Sequence, residues 1–435
     1  MTTLQEIIAA NKRGEGRGIY SCCSANEDVL RAALRRARMT QRPVLIESTA
    51  NQVNQFGGYT GMTPADFARF VFRLAAQEEV PATQVILGGD HLGPLTWTNL
   101  EAEEALHHAE QLVSDCVRAG YRKIHLDTSM RLASDDPASP FPLTVCAARG
   151  ARLAAACERT FAELQEGEHV HEPPCYVVGS EVPVPGGDVK VGVMGVTEGA
   201  DALRTIEAYR AAFESRGLTA AFERVIALVL ELGIEFHEFT LDEYNRTRTA
   251  ELVGVMRETA LCIEGHSTDY QTPANLRALC KDGVAILKVG PAFTFAAREA
   301  LFALEQIERE LLDDDTHKLS AYRATLDEVM RADPRYWRSY HTGSAAEQRF
   351  ARAYSFYDRA RYYSGDPRVL AAQETLCENL SRQAIPLPLL SQYLPIQYAR
   401  VRKGEIRNEP RALLYDHIGD CIDTYLDATK GNDRT

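Results

Sequence analysis

The 435-residue sequence lacks several patterns that would assign it to a common class of protein. Its ten cysteines include no CxxC pair, and several stand in apolar runs, which is typical of reduced thiols in the cytoplasm. No run approaches the about 20 apolar residues of a membrane-spanning helix. The first residues, MTTLQEIIAANKRGEG, have the pattern of an amphipathic helix and not of a signal peptide. We therefore expect a cytoplasmic protein with no membrane partner.

Motifs for nucleotides and nucleic acids are missing as well. The sequence has no GxxxxGK[ST] loop and no GxGxxG after a predicted strand, so we expect no nucleotide cofactor. The net charge of -13 argues against nucleic acid, whose phosphates require a basic surface. It leaves room for a small anionic substrate, because a few basic side chains or backbone N–H groups bind one phosphate.

Short apolar runs alternate with longer segments of helical periodicity. The predicted strands cover residues 18–23, 43–49, 85–91, 123–127, 176–182, 225–232, 261–267 and 285–291. Strands that are apolar on both faces and separated by helices indicate a parallel sheet, because crossover helices must cover both sides. Eight such units in about 300 residues favour a closed (β/α)8 TIM barrel of the α/β class. The alternative is an open sheet with a lid.

The pattern becomes purely helical after the eighth predicted strand. Residues 295–312 are predicted to form the last barrel helix, so the barrel with its pocket would occupy residues 1–312. We expect residues 313–435 to form a helical C-terminal extension packed on the barrel, with one of its helices over 345–363. If this extension closes the pocket, the residues that we expect to do so are Arg359, Arg361 and Tyr393.

Polar residues gather where the predicted strands end, which is the end of a barrel that carries function. The clusters are Glu47-Ser48-Thr49, Gly88-Gly89-Asp90-His91, His125-Leu126-Asp127-Thr128-Ser129, Glu181, Glu264-Gly265-His266 and Lys288. One cluster could merely cap the next helix. Six of them at one rim predict a functional pocket, because burying unpaired carboxylates and imidazoles costs free energy.

Some of these residues could bind a metal ion. The candidate ligands are His91, His266, Glu181 and Glu235. Two histidines and a carboxylate can hold a divalent ion and leave one position open for substrate. The alternative is that the histidines only hydrogen-bond neighbouring carboxylates, since no HExxH-type spacing is present. The role of the nearby His237 stays open.

Turns rich in glycine and hydroxyl groups supply candidate phosphate sites. The candidate residues for substrate and phosphate are Asn51, Gln52, Gly186, Gly187, Ser267, Thr268, Asp269, Lys288 and Gly290. Glycine lets backbone N–H groups approach an anion closely, although each of these glycines could equally serve a tight turn. Lys288 could neutralise a phosphate, pair with Glu264 or form a Schiff base.

Long blocks of the sequence resemble one known family. The blocks are IESTANQVNQFGGYTGMTPADF (46–67), ILGGDHLGP (86–94), RKIHLDTSM (122–130), GSEVPVPGG (179–187), GHSTDYQTPANL (265–276), ILKVGPAFTFAAREALFALEQIE (286–308), DRARYY (358–363) and LSQYLP (390–395). They resemble the Z-type, non-catalytic subunit of bacterial tagatose-1,6-bisphosphate aldolase, a family that includes tagatose 6-phosphate 4-epimerases. The resemblance covers nearly the whole chain.

The resemblance implies a relation to class II aldolases, which are metal-dependent barrels. Asp90-His91 is similar to their Asp-His pair, in which the aspartate handles a proton and the histidine binds zinc. His266 is similar to their late zinc histidine on strand seven. Their intermediate zinc histidine has no clear match here, although Glu235 or His237 could substitute. Gly290 stands where those aldolases have an asparagine that contacts substrate.

Two functions follow from the resemblance as expectations. The first is a C4-epimerase that interconverts D-tagatose 6-phosphate and D-fructose 6-phosphate in galactitol catabolism, by a metal-assisted retro-aldol route with Zn²⁺ as the expected ion. In that reading Asp90 or Asp127 moves the proton and Glu47 is a further catalytic residue. The second is a non-catalytic subunit that stabilises a class II aldolase partner. A homo-oligomer is compatible with either function.

Overall fold

The protein is a closed barrel of eight parallel strands, seen in a computed structural model that describes residues 3–166, 172–182, 195–312 and 318–431. The barrel strands are β1 (Ile19–Cys22), β2 (Val44–Thr49), β3 (Val85–Leu92), β4 (Lys123–Asp127), β5 (Cys175–Gly179), β6 (Val225–Val229), β9 (Cys262–Gly265) and β10 (Val284–Val289). A short antiparallel hairpin, β7 (Glu235–Phe236) and β8 (Leu241–Asp242), lies between β6 and β9. The barrel closes where β1 pairs with β10, with Ile19 opposite Ile286. The predicted TIM barrel is confirmed.

Helices connect the strands and continue after the barrel. Up to the last barrel strand and its crossover they are α1 (Thr3–Ala10), α2 (Glu27–Thr40), α3 (Pro64–Gln77), α4 (Ala102–Arg118), α5 (Leu143–Gln165), α6 (Gly199–Glu214), α7 (Thr219–Phe222), α8 (Arg246–Arg257), α9 (Pro273–Lys281) and α10 (Pro291–Leu311). The C-terminal ones are α11 (Tyr322–Ala332), α12 (Ala345–Tyr354), α13 (Pro367–Ser381), α14 (Leu387–Tyr393), α15 (Pro395–Lys403) and α16 (Pro410–Thr429). None of the helices in the described part of the chain is both long and apolar enough to cross a lipid bilayer.

Local sequence explains where the helices that follow the site begin. At α3 the Thr63 side chain accepts from the Asp66 backbone N–H, and the Asp66 carboxylate accepts from the Thr63 N–H. This capping box satisfies backbone donors that the first helical turn leaves without partners. At α2 the Asn26 side chain accepts from the Val29 N–H in the same role. Each cap lies at the end of a loop that leaves the carboxyl end of a strand, and it thereby fixes the length of that loop.

The interior of the barrel changes character along the strands. At the amino-terminal end, α1 places Leu4, Ile7 and Ile8 in an apolar cluster that includes Leu45 and Ile286. Side chains two residues apart on a strand point to the same face. The positions two residues after Leu45 and Ile286 are Glu47 and Lys288, and both are buried ions. The barrel therefore has an apolar floor and a charged upper interior.

The last helix lies against the barrel itself. Helix α16 packs on α2, α9 and α10 and contacts β1. The Gly18 N–H donates to the Thr429 carbonyl at 3.0 Å, and the Tyr425 hydroxyl donates to the Thr268 carbonyl at 2.9 Å. Helix α16 thus extends from the start of β1 to the loop after β9, beside the site. The division of the chain after residue 312 stays a prediction.

One predicted helix of this C-terminal part is wrong in its extent. The helix predicted over 345–363 ends at Tyr354, and residues Arg359–Tyr362 form a separate 3-10 turn. Asp358 interrupts the helical path with a φ of 41°. Its carboxylate accepts from Thr294 Oγ1 at 2.6 Å and from Arg298 Nε at 3.0 Å. These tertiary contacts with α10 hold a conformation that helical propensity alone does not predict.

Candidate active site

A network of buried charges fills the barrel interior just below the carboxyl ends of the strands. Lys123 Nζ lies 2.9 Å from Glu47 Oε1 and 2.7 Å from Glu264 Oε2. Lys288 Nζ contacts the Glu47 carboxylate and lies 3.1 Å from Asp90 Oδ1. Each of these residues is buried. Two lysines therefore compensate three carboxylates, and the five residues come from five different strands. Buried charges require such compensation in order to be stable.

A glycine makes room for this network. Gly88 pairs with Glu47 across β2 and β3, and a Cβ at Gly88 would lie 2.5 Å from Glu47 Oε1. Any side chain at this position would displace the carboxylate. The Ser21 hydroxyl on β1 donates to Glu47 Oε2 at 2.5 Å. Glu47, predicted as a catalytic residue, is thus held from several directions within the charge network.

Four of the buried residues are arranged as metal ligands. Asp90, His125, Glu264 and His266 each offer a ligand atom, and these atoms all lie within 4.8 Å of one another. His125 Nδ1 lies 3.0 Å from Asp90 Oδ1, and His266 Nε2 lies 3.1 Å from Glu264 Oε1. His125 Nε2 is buried and has no hydrogen-bond partner among the described residues. Two imidazoles and two carboxylates suit a divalent ion, so this group could hold a metal.

The surroundings set the protonation of these groups. Burial lowers the pKa of His266 to about 4, so its imidazole is neutral at pH 7, which is the form that binds metal ions. Burial alone would raise the pKa of Asp90, but the positive charges of His91 and Lys288 hold it well below its usual range. Glu264 is likewise kept ionised, because Lys123 and Lys288 outweigh its burial and lower its pKa.

A histidine-aspartate pair stands beside this group. His91 Nδ1 lies 2.8 Å from Asp127 Oδ2, and the other Asp127 oxygen accepts from the Ser129 hydroxyl at 2.7 Å. The His91 ring is 4.9 Å from the His266 ring, centroid to centroid. Its backbone φ of 47° is rare for a residue with a side chain, and such strain is common at functional sites. Burial raises the pKa of Asp127, but its contacts with His91 bring it to about 2.

A cavity that is open to solvent lies beside these residues. The side chains from the predicted site that line it are Asn51, Gln52, Asp90, His91, His266, Ser267, Asp269, Lys288 and Gly290. Its wall also contains Thr49 from the predicted rim clusters, and residues that we did not predict, namely Cys23, Tyr59, Phe236, Val289, Pro291 and Tyr362. Arg361, expected only if the C-terminal extension closes the pocket, lines it too. Asp127 and Glu47 lie behind this wall, in contact with His91 and Lys288 respectively.

The turn after β10, predicted as a phosphate site, is occupied by a side chain of the protein. The Asp269 carboxylate accepts from the backbone N–H groups of Gly290, at 3.0 Å, and Ala292, at 2.8 Å. Burial raises the pKa of Asp269 to about 6. Thr268 donates through its hydroxyl to the Lys288 carbonyl, so this side chain is engaged with backbone. The amides at the start of α10 therefore bind an internal carboxylate.

Glu235 and Glu181 do not belong to the four-residue group. Glu235 is fully buried, its Oε1 accepts from the Phe236 N–H, and its Oε2 has no partner among the described residues. Burial raises its pKa to about 7. Glu181 is exposed and accepts from Thr197 Oγ1 at 2.6 Å, while His237 lies 3.0 Å from Asp242. The two remaining predicted residues, Gly186 and Gly187, lie outside the described residues.

The predicted ligand set and the observed group share only His266. His125 and Glu264 were seen in the polar clusters at the strand ends but received no metal role. His125 stands two residues before the predicted site residue Asp127 on β4, and Glu264 stands two residues before His266, which directly follows β9. That spacing puts both residues of a pair on one face of a strand. This is the sequence signal that could have placed them in the site.

Known proteins share this fold and sequence. A family model described as D-tagatose-1,6-bisphosphate aldolase subunit GatZ/KbaZ-like matches residues 4–430. The crystal structure of a probable tagatose 6 phosphate kinase from Sinorhizobium meliloti 1021 has 42% sequence identity and a TM-score of 0.86, covering 95% of this chain and 100% of that chain.

More distant similarity is found with two aldolases. The YdjI aldolase from Escherichia coli K12 has 11% identity and a TM-score of 0.43, over 87% of this chain and 96% of that chain. Fructose-bisphosphate aldolase from Campylobacter jejuni has 14% identity and a TM-score of 0.43, over 87% of this chain and 91% of that chain. The family resemblance predicted from the sequence blocks is confirmed by the match along nearly the whole length. The chain belongs to the GatZ/KbaZ-like family of D-tagatose-1,6-bisphosphate aldolase subunits.

Proposed function

We propose that the protein is a ketohexose-phosphate C4-epimerase that interconverts D-tagatose 6-phosphate and D-fructose 6-phosphate. The observation that carries this proposal is the buried group of Asp90, His125, Glu264 and His266 beside a cavity at the carboxyl end of the barrel. A subunit that only packs against a partner gains no stability from burying such charges. The name of the S. meliloti neighbour supports tagatose 6-phosphate as the sugar.

The chemistry of the sugar limits the possible routes of epimerisation at C4. The C4 hydrogen of a 2-ketohexose is not adjacent to the carbonyl, so deprotonation at C4 has no electron sink. Oxidation at C4 would use a nicotinamide or flavin, and the sequence has no dinucleotide motif. Cleavage of the C3–C4 bond is the remaining route. Its electron pair moves into an enediolate over C2 and C3, the C4 hydroxyl gives up its proton to become an aldehyde, and recombination on the other face reverses both changes.

The four-residue group fits a divalent ion, with Zn²⁺ as the expected one. We assign Asp90, His125, Glu264 and His266 as its ligands, because their ligand atoms converge and His125 Nε2 is buried without a partner among the described residues. The predicted ligand His91 lies next to them. A bound ion would supply a Lewis acid for the C2 ketone oxygen.

The side chains around this group would handle protons and charge. Asp127 fixes the His91 ring through Nδ1 and leaves Nε2, 3.7 Å from Asp90 Oδ2, to exchange the proton of the C4 hydroxyl. Lys288, held between Glu47 and Asp90, presents a fixed positive charge to the cavity. Such a preorganised charge stabilises the negative charge that develops as the C3–C4 bond breaks. The aldehyde must stay in the cavity while it rotates, before the C3–C4 bond forms again.

A second candidate function is the supporting subunit of a class II aldolase, because the family description names an aldolase subunit. In that role the chain would have no turnover of its own and would stabilise a partner chain. The kinase activity in the name of the neighbour finds no support in this sequence, which has no GxxxxGK[ST] loop.

The deciding experiment uses the purified chain alone with tagatose 6-phosphate. Formation of fructose 6-phosphate is followed through coupled isomerase and dehydrogenase reactions, with added Zn²⁺ or with a chelator. The epimerase proposal predicts turnover that the chelator abolishes and that Zn²⁺ restores. Turnover that survives the chelator would keep the epimerase and contradict the metal assignment.

A control separates the two functions. The same preparation is mixed with a class II tagatose-bisphosphate aldolase, and the activity and melting temperature of the aldolase are measured. Absence of turnover with phosphorylated and free ketohexoses, together with a more stable and more active aldolase, would contradict the epimerase and establish the supporting role.

A further inference from the structure

Two arginines of the 3-10 turn Arg359–Tyr362 crowd around one aromatic ring. The guanidinium carbons of Arg359 and Arg361 lie 4.4 and 4.6 Å from the ring centroid of Tyr362. Neither arginine has a carboxylate within ion-pair distance in the described part of the chain. Burial raises the pKa of Tyr362, but the two guanidinium groups outweigh it and lower the pKa of the phenol. The turn therefore carries two guanidinium groups without a direct ion pair among the described residues, although the carboxylates of Asp269 and Asp358 are near enough to act on Arg361.

The hydrogen bonds of the two arginines do not neutralise them. Arg361 Nη1 donates to the Asp358 carbonyl at 3.1 Å, and its Nη2 donates to the Tyr362 hydroxyl at 3.2 Å. Arg359 Nε donates to the Tyr336 carbonyl, and its Nη1 is buried with no partner among the described residues. Neutral oxygens satisfy N–H groups without compensating the charge. An anion bound at this turn would give the guanidinium groups a direct ion-pair partner.

Arg361 is placed to meet such an anion in the cavity. It lines the cavity that contains Asp90 and His266, together with Tyr59, whose ring centroid is 4.7 Å from that of Tyr362. It also lines the neighbouring cavity, so it stands where the two meet. One wall of the site therefore presents a guanidinium and a phenol from segments that are distant in sequence.

The turn is held firmly over the barrel. Asp358 accepts from Thr294 and Arg298 on α10, the helix that follows the last strand. The Tyr270 hydroxyl, in the loop after β9, donates to the Phe356 carbonyl at 2.8 Å. Arg361 is thus positioned before any ligand arrives, which reduces the entropy lost on binding.

The usual place for a phosphate in such a barrel is filled. Many barrels bind phosphate at the turn after the eighth strand, where helix N–H groups are free. Here the Asp269 carboxylate accepts from the Gly290 and Ala292 amides and would repel a phosphate. The anion must therefore be bound elsewhere in the cavity.

We infer that Arg361, assisted by Tyr59, binds the phosphate group of the sugar phosphate. The inference rests on the proposed function for the identity of the ligand, a phosphorylated ketose. The planar guanidinium group gives paired, charge-assisted hydrogen bonds to phosphate oxygens. The C-terminal helical part of the chain thereby supplies a specificity determinant to the barrel site.

Equilibrium binding tests this inference without requiring turnover. Dissociation constants are measured for tagatose 6-phosphate, for tagatose, and for inorganic phosphate in the presence of a chelator that prevents phosphate from binding a metal ion. The wild-type protein should prefer the phosphorylated sugar. Arg361→Gln should weaken binding of tagatose 6-phosphate and phosphate by about 10- to 100-fold and leave binding of tagatose unchanged.

Two further variants guard against a folding artefact. Tyr59→Phe removes one hydroxyl and should weaken phosphate binding by about two- to fivefold. Arg368→Gln is the matched control, because Arg368 lines the neighbouring cavity but is exposed and pairs with Asp366 at 3.1 Å. It should bind all three compounds as the wild type does.

The possible results separate this inference from the proposed function. Phosphate binding that Arg361→Gln leaves intact, or a wild-type protein that binds neither phosphate nor the phosphorylated sugar, would overturn the inference. Binding that depends on Arg361 in a protein without epimerase turnover would support the phosphate site and count against the epimerase alone.

Discussion

The two ends of the barrel interior bury residues of opposite character. At the amino-terminal end, Leu45 belongs to the apolar cluster that α1 completes. Two residues further along the same face of β2, Glu47 joins Lys123 and Lys288 in the charge network. Apolar burial stabilises a fold by about 25 cal/mol per Å², whereas buried charges are at best neutral unless every partner is present. We therefore expect the apolar end to contribute more to stability and the charged end to carry the catalytic activity.

The largest expected effect is on activity at the charged end. His266→Ala removes a proposed metal ligand and should lower kcat/KM by at least about 10³-fold, equal to about 4 kcal/mol. The free energy of unfolding should change by less than about 2 kcal/mol. Coupled-assay kinetics and urea unfolding measure the two quantities. The control is His107→Ala, at an exposed position of α4; equal activity losses in both variants would contradict the assignment.

The converse substitution lies at the apolar end. Leu45→Ala creates a cavity beneath the charge network and should lower the free energy of unfolding by about 2–5 kcal/mol. The kcat/KM of the protein that remains folded should be unchanged, because Leu45 neither lines the cavity nor belongs to the four-residue group. Glu47→Gln, on the same face of the same strand, is the matched partner and should abolish turnover. If Leu45→Ala loses activity as Glu47→Gln does, the separation between the two ends fails.

The pH dependence of stability tests the protonation of the buried Glu235. Burial raises the pKa of Glu235 from 4.5 to about 7, so the folded protein keeps this proton to a higher pH than the unfolded chain does. The contribution of this protonated carboxyl group to the free energy of unfolding is complete below pH 4.5 and is lost as the pH rises through 7. The difference amounts to about 3 kcal/mol at most.

Glu235→Gln keeps the neutral shape and should remove this dependence. Wild type and variant should unfold at similar urea concentrations at pH 5, and the variant should be the more stable at pH 8. If the stabilities of wild type and variant change with pH in the same way from pH 5 to pH 8, Glu235 does not stay protonated in this range.

The smallest effect is expected behind the cavity wall. Asp127→Asn keeps the size of the side chain but no longer holds His91 as a charged partner. It should lower kcat by about 10- to 100-fold and leave KM and metal content unchanged. Kinetics and metal analysis on the same preparation test this. A loss of metal would instead place His91 and Asp127 within the ligand shell.

The regular part of the fold was predictable from the sequence because its signals are local. Eight apolar runs separated by helical periodicity identify a parallel barrel, and each predicted strand overlaps an observed one. Strand β5 ends at Gly179, before the predicted end at residue 182, which leaves Glu181 exposed beyond it. The end of a strand depends on pairing with its neighbours, and composition does not record that pairing.

The location of the site could be predicted from the sequence better than the residues that form it. Polar clusters at strand ends identified the rim, yet His125 and Glu264 became neighbours only when β4 and β9 closed into one barrel. Asp269, predicted as a phosphate ligand, turned out to cap α10. Arg361 comes from a segment predicted as helix, whose true path is set by contacts with α10. Long-range contacts of this kind have no local signature.

The central claim is that the charged end of the barrel is a metal-dependent catalytic site. Its most direct test titrates the metal-free wild-type protein with Zn²⁺ while bound metal and fructose 6-phosphate formation are measured together. The account predicts that turnover rises in proportion to bound metal and stops rising at one ion per chain. Turnover that is independent of bound metal, or one ion per chain with no turnover, would contradict it.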